Sequence, residues 1–444
     1  MADAKHSRAT AGTGRPSLGI TYWRLWTSSG LSNLADGIVK VALPLVAIQL
    51  TRSPTLIAGL TVALTLPWLL FALPAGALAD RLDRRRVMLG ANSVRAALLA
   101  VLVLAALLDA ASIWVLYVVA LCIGVAETIY DTSAQSILPQ VVPRDQLSRA
   151  NGRLYAAELT ANEFVGPPLA GFLVAAGAAI ALAAPVALWA VAVAALLLVH
   201  GSYRIERQHR STMRSDIAEG LRFLSRHRLL RTLAVMTGGF NFATNATFAI
   251  FVLYAVGPTS AMRLSEQAFG VLLASIAAGS LFGSFVAEWI ERRIGRARSL
   301  AAGIVTGALL AGILAVTANP FLIAGAFFVG GAGVVVWNVV AVSLRQRITP
   351  NRLLGRVNSG YRLVAWGTRP LGAAAAGLLA QFFGLRVVFA IMAVLMLALL
   401  IGMTTVTNAA MDAADRAADR DADHDADHDA DHDADHDADH NRPT

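Results

Sequence analysis

Several long stretches of this chain carry no charged residue, among them residues 53–79, 164–199 and 299–344. An α-helix needs about 20 apolar residues to cross the hydrocarbon core of a membrane. Of these three, the first therefore supplies one span, and each of the others is long enough for two, with turns near Gly177 and at Asn319-Pro320. The composition agrees, because only 15% of the 444 residues are charged and 56% are hydrophobic, whereas about a quarter of a soluble domain is charged.

The same criterion, applied along the chain, predicts an all-α polytopic membrane protein with twelve transmembrane helices. The predicted spans are residues 25–50, 55–79, 87–108, 112–138, 152–176, 180–200, 232–257, 267–290, 299–318, 320–344, 357–383 and 385–407. They form two six-helix halves, residues 24–200 and 232–408. The remaining segments are predicted as a cytoplasmic N-terminal segment (1–23), a cytoplasmic linker (201–231) and a disordered acidic tail (409–444).

The basic residues are concentrated in alternate loops. The net charge is +8, but residues 411–444 hold 13 aspartates and three arginines, so the rest of the chain carries +18. Positively charged loops stay in the cytoplasm, which places both termini there. We therefore expect the lipid bilayer, and not nucleic acid, as the partner of the basic surface. The first twenty residues lack the apolar core of a signal peptide, and the single Cys122 excludes a disulfide framework.

The two halves repeat each other in sequence. The segment SILPQVVPRDQLSRANG (residues 136–152) aligns with SLRQRITPNRLLGRVNS (residues 343–359), and near the same offset Asn33 in the first span corresponds to Asn241 in the seventh. Duplicated six-helix halves of one orientation are a known transporter architecture, with the substrate path between the halves near the membrane midplane.

The linker between the halves contains an amphipathic pattern. Ile217, Leu221 and Leu224 lie on one helical face among arginines. This fits an interfacial helix on the anionic inner leaflet of the membrane. It also fits a solvated basic loop that serves only the topology.

A charged stretch, GALADRLDRRR (residues 76–86), separates the second and third spans. It resembles the signature loop at this place in the major facilitator superfamily. The residues that match the signature are Gly76, Leu78, Ala79, Asp80, Arg81, Arg84, Arg85 and Met88, whereas Asp83 replaces a glycine. The first span (SNLADGIVKVALPL) and the segment LPQVVPRDQLSRANG with the following GPPLAG resemble the drug, macrolide and siderophore exporters of that superfamily.

The resemblance covers residues 24–407 and implies the major facilitator fold, with helices one, four, seven and ten lining the substrate cavity. GPPLAG (Gly166, Pro167, Gly171) resembles the end of the fifth-helix signature of antiporters, but Arg153 and Asn162 stand where that signature has glycines. A proline kink with small residues for close packing explains these residues equally well.

The loop between the second and third spans is a candidate cytoplasmic gate. Gly76 lets two helices approach closely, and Asp80 can face the positive N-terminus of a helix in the other half. Arg81 or Arg84 can then meet Asp131 at the cytoplasmic end of the fourth span. The alternative is that these arginines, with Arg85, only hold the loop inside.

Charged residues within membrane helices are costly, so each one is a functional candidate. In the first span, Asp36 lies one turn after Asn33 and one turn before Lys40, and Asp36 and Lys40 are spaced to pair within their own helix. In the fourth span, Glu127 and Asp131 share a face and repel each other, a repulsion that proton binding relieves. We expect Glu127 to serve proton coupling, or alternatively to contact Arg95 of the third span.

Polar residues also occur in three spans of the second half. Asn241 and Asn245 in the seventh span and Trp337-Asn338 in the tenth are candidate cavity residues, or form hydrogen bonds between helices. In the eleventh span, Arg362 and Arg369 lie on one face beside Trp366. They are predicted either to bind an anionic substrate or to pair with acids across the bundle.

No enzyme signature is present in the sequence. It has no phosphate-binding glycine loop with a Gly-Lys-Ser/Thr end, so we expect the proton gradient as the energy source and no cofactor. The DADH repeats of residues 421–440 contain possible metal ligands, but low-complexity repeats of this kind are typical of unstructured tails, and we assign no metal site.

These features predict a multi-pass protein of a bacterial plasma membrane that exports amphipathic small molecules in exchange for protons, as a monomer. The alternatives are a dedicated siderophore exporter or lysolipid flippase of the same fold. A membrane receptor or scaffold without transport activity fits less well, because a scaffold has no use for costly charges at the membrane midplane.

Overall fold

The structure, a computed structural model, describes residues 18–143, 146–201, 203, 213–350, 353–418 and 420, which form helices and connections without a β-strand. The N-terminal half contains α1 (Gly19–Leu50), α2 (Pro54–Arg81), α3 (Arg84–Leu107), α4 (Ile113–Ile137), α5 (Leu147–Leu159), α6 (Gly166–Ala176) and α7 (Ala178–Leu197). The linker contains α8 (Met213–Arg226). The C-terminal half contains α9 (Arg228–Ala255), α10 (Glu266–Ile294), α11 (Arg296–Val316), α12 (Pro320–Ile348), α13 (Leu354–Phe383) and α14 (Leu385–Ala398).

Side-chain caps begin many of these helices. Ser53, Ser112 and Ser265 each accept a hydrogen bond from a backbone N–H three residues later, and Asn319 accepts two. Such caps satisfy N–H groups that have no partner within the helix. Pro54 and Pro320 stand at the first helical position, where the missing N–H costs nothing.

Nine helices of the described chain are long and apolar enough to cross a membrane. They are α1, α2, α3, α4, α7, α10, α11, α12 and α14 with the 3₁₀ turn that follows it. The other three predicted spans coincide with helical segments that are interrupted (α5–α6) or more polar (α9 and α13). The all-helical polytopic fold is confirmed, while twelve spans remain a prediction for these three segments.

The hydrophobic core differs between the two ends of the bundle. We call the end with the α2–α3, α4–α5, α10–α11 and α12–α13 connections the basic end. At the opposite end, one cluster joins both halves and includes Leu45, Ile57, Phe251 and Phe327. Two separate clusters lie at the basic end, one in each half. Among the residues that the structure describes, the halves therefore share a core at one end only.

Small residues let the halves approach closely where they meet. A methyl group on Gly171 of α6 would overlap the carbonyl oxygen of Glu266 in α10, and one on Gly270 would overlap that of Pro167. On the other side of the bundle, α2 packs on α13, and a methyl group on Gly377 would lie 2.8 Å from the Ala58 side chain.

The linker helix α8 packs on α13 and α9. Leu224 is buried in the core of the C-terminal half, and Glu219 forms an ion pair with Arg356 of α13. The linker segment is therefore helical, but its predicted position on the membrane surface is not confirmed, because Leu221 and Leu224 pack against protein. The side chain of Ile217 lies outside the described residues. His227 begins α9: its Nδ1 accepts from Leu230 N–H, and burial lowers the pKa of the imidazole.

The start of the acidic tail is ordered, which corrects the prediction of disorder from residue 409. Residues 408–418 form a C-terminal helix. Met411 is fully buried, and Arg296 pairs with Asp412 and Asp415. The correction has a physical reason: acidic residues of the tail find a basic partner at the start of α11, and one apolar side chain anchors them. The DADH repeats lie outside the described residues.

Candidate functional site

A buried arginine organises the centre of the N-terminal half. Arg95 of α3 is fully buried and donates to the Asp36 carboxylate at 2.6 Å. It also donates to the Ser32 hydroxyl at 3.0 Å and to the Asn92 side chain. Its guanidinium carbon lies 4.7 Å and 5.0 Å from the ring centres of Tyr130 and Trp189. We call this group, with Asp36, Ser32 and Asn92, the Arg95 network.

The Arg95 network corrects two predictions. Asp36 does not pair with Lys40 of its own helix, and Arg95 does not contact Glu127, because Arg95 and Asp36 take each other as partners. Lys40 instead donates to the Asn162 side chain at 2.8 Å and lies 3.9 Å from the Glu163 carboxylate. Spacing along one helix permits a pair, but a planar arginine on a neighbouring helix offers more hydrogen bonds.

Asn162 and Glu163 lie on a π-helical turn, residues Thr160–Val165, between α5 and α6. The Asn162 amide also donates to the Asn33 side chain at 3.5 Å. Close packing produces this geometry: a methyl group on Gly37 would lie 2.8 Å from the Asn162 Cα, and one on Gly166 equally close to the Gly37 Cα. π-Turns are rare and frequent at functional sites.

Among the GPPLAG residues, the structure shows a packing role. Gly166 packs on α1 and Gly171 on α10, and Pro167 is buried. This agrees with the packing alternative, because both glycines lie where a side chain would displace a neighbouring helix.

Glu127 and Asp131 are half-buried on one face of α4. Within the described chain, neither carboxylate has an ion-pair or hydrogen-bond partner. Of the two arginines predicted to meet Asp131, Arg84 donates instead to the Ser136 carbonyl at the end of the same helix. The side chain of the other, Arg81, lies outside the described residues. The two carboxylates are thus available to a proton or a ligand.

A second charged group lies on α13. Arg362 and Arg369 flank Trp366, with guanidinium carbons 4.4 Å and 4.9 Å from its ring centre. Trp366 meets Trp68 of α2 edge to face, with ring centres 5.2 Å apart. Neither arginine forms an ion pair with an acid in the described residues, so the predicted pairing across the bundle is not found.

The polar residues of α9 and α12 take different positions. Asn245 donates to the Asn241 carbonyl of its own helix at 3.0 Å. Trp337 is buried in the core of the C-terminal half at the basic end, whereas Asn338 is exposed. No hydrogen bond joins Asn33 to Asn241 among the residues that the structure describes, and Asn33 donates to the Ser29 carbonyl instead.

The loop between α2 and α3 is tied to its own half. Asp83 caps α3 and accepts from the Tyr203 N–H at 3.1 Å. Arg85 donates to the carbonyls of Leu196 and Leu197 at the end of α7, each at 3.0 Å. The side chains of the other candidates in this loop lie outside the described residues: Gly76, Asp80 and Arg81.

Sequence reasoning left several central residues out of the candidate site. Arg95, Asn162, Glu163, Trp68 and Trp366 belong to the geometry described above. For Arg95 the signal was present, because it is a charge within an apolar span. For Trp68 and Trp366, which meet across two halves, no local pattern marks the contact.

Comparisons with known proteins agree with this architecture. Residues 16–435 match the family of transmembrane secretion effectors. The multidrug efflux pump Tap of Mycolicibacterium fortuitum is 27% identical, over 82% of this chain and 90% of Tap. Macrolide efflux protein A of Streptococcus pyogenes is 22% identical, over 85% of this chain and 94% of that protein. The enterobactin exporter EntS of Salmonella typhi is 26% identical, over 74% and 78%.

Solved structures share the fold. A mutant of the nucleoside transporter NupG matches with a TM-score of 0.70 and 14% identity, over 87% of this chain and 99% of that chain. A bacterial homologue of the iron transporter ferroportin, in an inward-facing state, matches with a TM-score of 0.67 and 18% identity, over 88% and 99%.

Proposed function

This chain belongs to the transmembrane secretion effectors of the major facilitator superfamily, and on that premise we propose that it exports amphipathic small molecules by alternating access, driven by proton entry. The relatives that are named as multidrug and macrolide efflux proteins support export. The coupling ion and the residues that carry it are our inference from the site.

The orientation follows from charge. Basic loops remain in the cytoplasm, so the basic end, and with it both chain termini, faces the cytoplasm of a bacterial plasma membrane. The shared core then closes the outer side, and the separate cores leave the inner side open between the halves. This arrangement is the inward-open state of the cycle, in which a substrate enters from the cytoplasm.

The observation that carries the proposal is the absence of partners for Glu127 and Asp131 in the described residues. A charged side chain at the centre of a membrane helix costs about 2.5–3.5 kcal/mol on insertion scales. A carboxylate that carries this cost is expected to have a function in transport. Here the carboxylates bind either a proton or the basic group of a substrate.

Competition at these carboxylates couples the two fluxes. In the inward-open state, loss of a proton to the cytoplasm frees Glu127 to bind the basic group of a substrate. In the outward-open state, a proton from outside displaces the substrate. In each state the carboxylates bind either a proton or the substrate, but not both, and this exclusion is the requirement for antiport.

We further propose that the protein acts as a monomer in the lipid bilayer, without a catalytic residue or a bound cofactor. The cytoplasmic gate at Asp80 and Arg81 belongs to this proposal. Asp83, Arg84 and Arg85 hold the same loop to α3, α4 and α7, so Asp80 would move with the N-terminal half as a rigid body.

Export of a siderophore is the second candidate. The similarity to the enterobactin exporter favours it, and Arg362 and Arg369 offer unpaired positive charge to an anionic chelator.

Expression in an efflux-deficient bacterium tests both candidates. We expect lower accumulation of at least one lipophilic dye, macrolide or siderophore, and we expect the proton uncoupler carbonyl cyanide chlorophenylhydrazone to abolish the difference. Cells that express Glu127→Gln should accumulate the compound to the level of the empty-vector control. Cells that express Arg386→Gln, a substitution at the outer end of α14, should export it normally. The proposal is wrong if a broad panel shows no transport or only uptake.

A further inference from the structure

The two halves present unpaired charges of opposite sign. The N-terminal half contributes the acids Glu127 and Asp131, one turn apart on α4. The C-terminal half contributes Arg362 and Arg369, two turns apart on α13. Arg362 and Asp131 lie nearer the basic end than Arg369 and Glu127 do, because α4 ends and α13 begins at that end. Arg362 interacts electrostatically with Asp131, and Arg369 with Glu163 and Glu127. No ion pair joins the two sides in the described residues.

Arg362 and Arg369 of α13, with Trp366 between them, can hold a planar anion. Both guanidinium groups lie within 5 Å of the Trp366 ring centre. The buried Nε of Arg369 has no hydrogen-bond partner among the described residues. Buried polar atoms are ordinarily paired, and an arginine offers a rigid set of donors that matches a carboxylate in two parallel hydrogen bonds. Trp366 and Trp68 add an aromatic surface beside these donors.

Within the proposed export function, on which this step rests, we propose that the substrate is an aromatic zwitterion. Its anionic group binds Arg369 beside Trp366, its ring lies against Trp366 and Trp68, and its basic group binds Glu127. Arg362 and Asp131 form the cytoplasmic approach to this site.

The charge arrangement favours a zwitterion over either ion alone. A cation compensates Glu127 but leaves Arg369 without an acceptor, and an anion does the reverse. Each single ion therefore leaves a desolvated charge unpaired when the halves close over it, which costs more than the missing contact itself. The selectivity comes from this penalty as well as from attraction.

The site also separates two tasks. Only the basic group of the substrate competes with the proton at Glu127, so Glu127 governs coupling. The anionic group meets Arg369, which has no proton to exchange at physiological pH, so Arg369 governs the choice of substrate. Substitution of Arg369 should therefore change which compounds are transported and leave proton coupling intact.

Inside-out membrane vesicles that contain the full-length protein test this separation under an imposed proton gradient, acid inside. The probes share the xanthene ring system: rhodamine B is a zwitterion, its ethyl ester is a cation, and fluorescein is an anion. The variants are Arg369→Gln, Arg369→Lys and, as a control outside the site, Arg386→Gln. The amount of each variant in the membrane is measured by immunoblot and by gel filtration in detergent.

We expect the wild-type protein to transport rhodamine B with a higher kcat/KM than the ester or fluorescein. Arg369→Gln should lower the value for rhodamine B about tenfold, equal to about 1.4 kcal/mol. It should leave the value for the ester unchanged or raise it, because the variant has no arginine charge to leave unpaired. Arg369→Lys should retain part of the rhodamine B transport, because it keeps the charge but not the planar pair of donors.

Other outcomes overturn the inference. Equal losses for rhodamine B and its ester in Arg369→Gln would show that the arginine serves the conformational cycle. Recovery of the transport of both probes when Arg369→Glu is combined with Glu127→Arg would show the same, since an ion pair that forms when the halves close survives that exchange. If the wild-type protein prefers the ester, the substrate class is wrong while export stands. If no probe, dye, macrolide or siderophore is moved, export itself is wrong.

Discussion

Two groups of charged side chains lie near each other in the N-terminal half and differ in their pairing. In the Arg95 network, Arg95 is 0% exposed and its carboxylate partner Asp36 is 5% exposed, and hydrogen bonds join them to α1 and α3. On α4, Glu127 and Asp131 are less buried and have no partner in the described chain. One group is closed to ligands and the other is open.

The difference separates structural charge from functional charge. Removal of one partner from a buried ion pair leaves the other charge uncompensated and is strongly destabilising. Removal of a carboxylate that has no partner leaves nothing uncompensated and relieves its own cost of burial. The Arg95 network should therefore govern folding, and Glu127 should govern transport with little influence on folding.

The largest expected effect is the loss of Arg95. Arg95→Met should lower the free energy of unfolding by about 3–5 kcal/mol, because the Asp36 carboxylate stays buried without its partner. Thermal unfolding of the purified protein in detergent, followed by tryptophan fluorescence, measures the change. The double variant Asp36→Asn with Arg95→Met should recover a large part of the loss.

If Arg95→Met unfolds as the wild-type protein does, the proposed difference is wrong, because the Arg95 network would then contribute no more to the free energy of unfolding than Glu127 and Asp131 do. A double variant as unstable as the single one would show that the packing of Arg95 on Tyr130 and Trp189 is the main contribution, and not the ion pair.

The second-largest effect is expected from the loss of the Glu127 carboxylate. Glu127→Gln should unfold at the wild-type temperature or above, while transport driven by a proton gradient falls about 100-fold, equal to about 2.7 kcal/mol. Exchange of labelled for unlabelled substrate without a gradient should persist at a raised KM, because this reaction needs no proton but the basic group of the substrate has lost its carboxylate partner. Reconstituted vesicles allow both measurements.

Asp36→Asn is the matched comparison for Glu127→Gln, since each replaces one carboxylate by an amide. We expect it to lower stability more than Glu127→Gln does. The assignment is reversed if Asp36→Asn abolishes gradient-driven transport at wild-type stability while Glu127→Gln retains it.

The sequence was sufficient to predict the nine spans found in the described chain because the bilayer sets a local requirement. Each crossing needs about 20 consecutive apolar residues, and a run of that length can be recognised within one segment of the sequence. The fold class follows from these runs. The exception is informative: the fifth span contains a π-turn at Thr160–Val165, and one extra residue in a helical turn leaves no mark on hydropathy.

Charge partners were not predictable in the same way. Asp36 had a local candidate in Lys40, but its partner is Arg95, 59 residues away. Both pairings are compatible with the sequence, and the choice depends on how α1 and α3 face each other. Likewise, Gly37 and Gly166 are informative only once the structure shows which helices they bring together.

The smallest of the three effects concerns a third kind of charge pair, at the protein surface. The tail was predicted to be disordered from residue 409, yet truncation after Asn408 removes the C-terminal helix with Met411 and the partners of Arg296. Burial of one methionine side chain contributes about 1.5–3 kcal/mol, whereas partly exposed ion pairs contribute about 0.2–1 kcal/mol each. We therefore expect a loss of about 2 kcal/mol, most of it from Met411. Truncation after Arg420 should leave the unfolding temperature unchanged.

Single substitutions separate the two contributions within this helix. Met411→Ala should reproduce most of the loss caused by truncation after Asn408, because it removes the buried side chain and keeps both ion pairs. Asp412→Asn combined with Asp415→Asn should cost less than about 1 kcal/mol, and the cost should shrink in high salt, which screens exposed charges. If the double aspartate variant is instead as unstable as Arg95→Met, then pairing stabilises this protein regardless of burial. In that case the contrast between the Arg95 network and the open acids would rest on pairing alone.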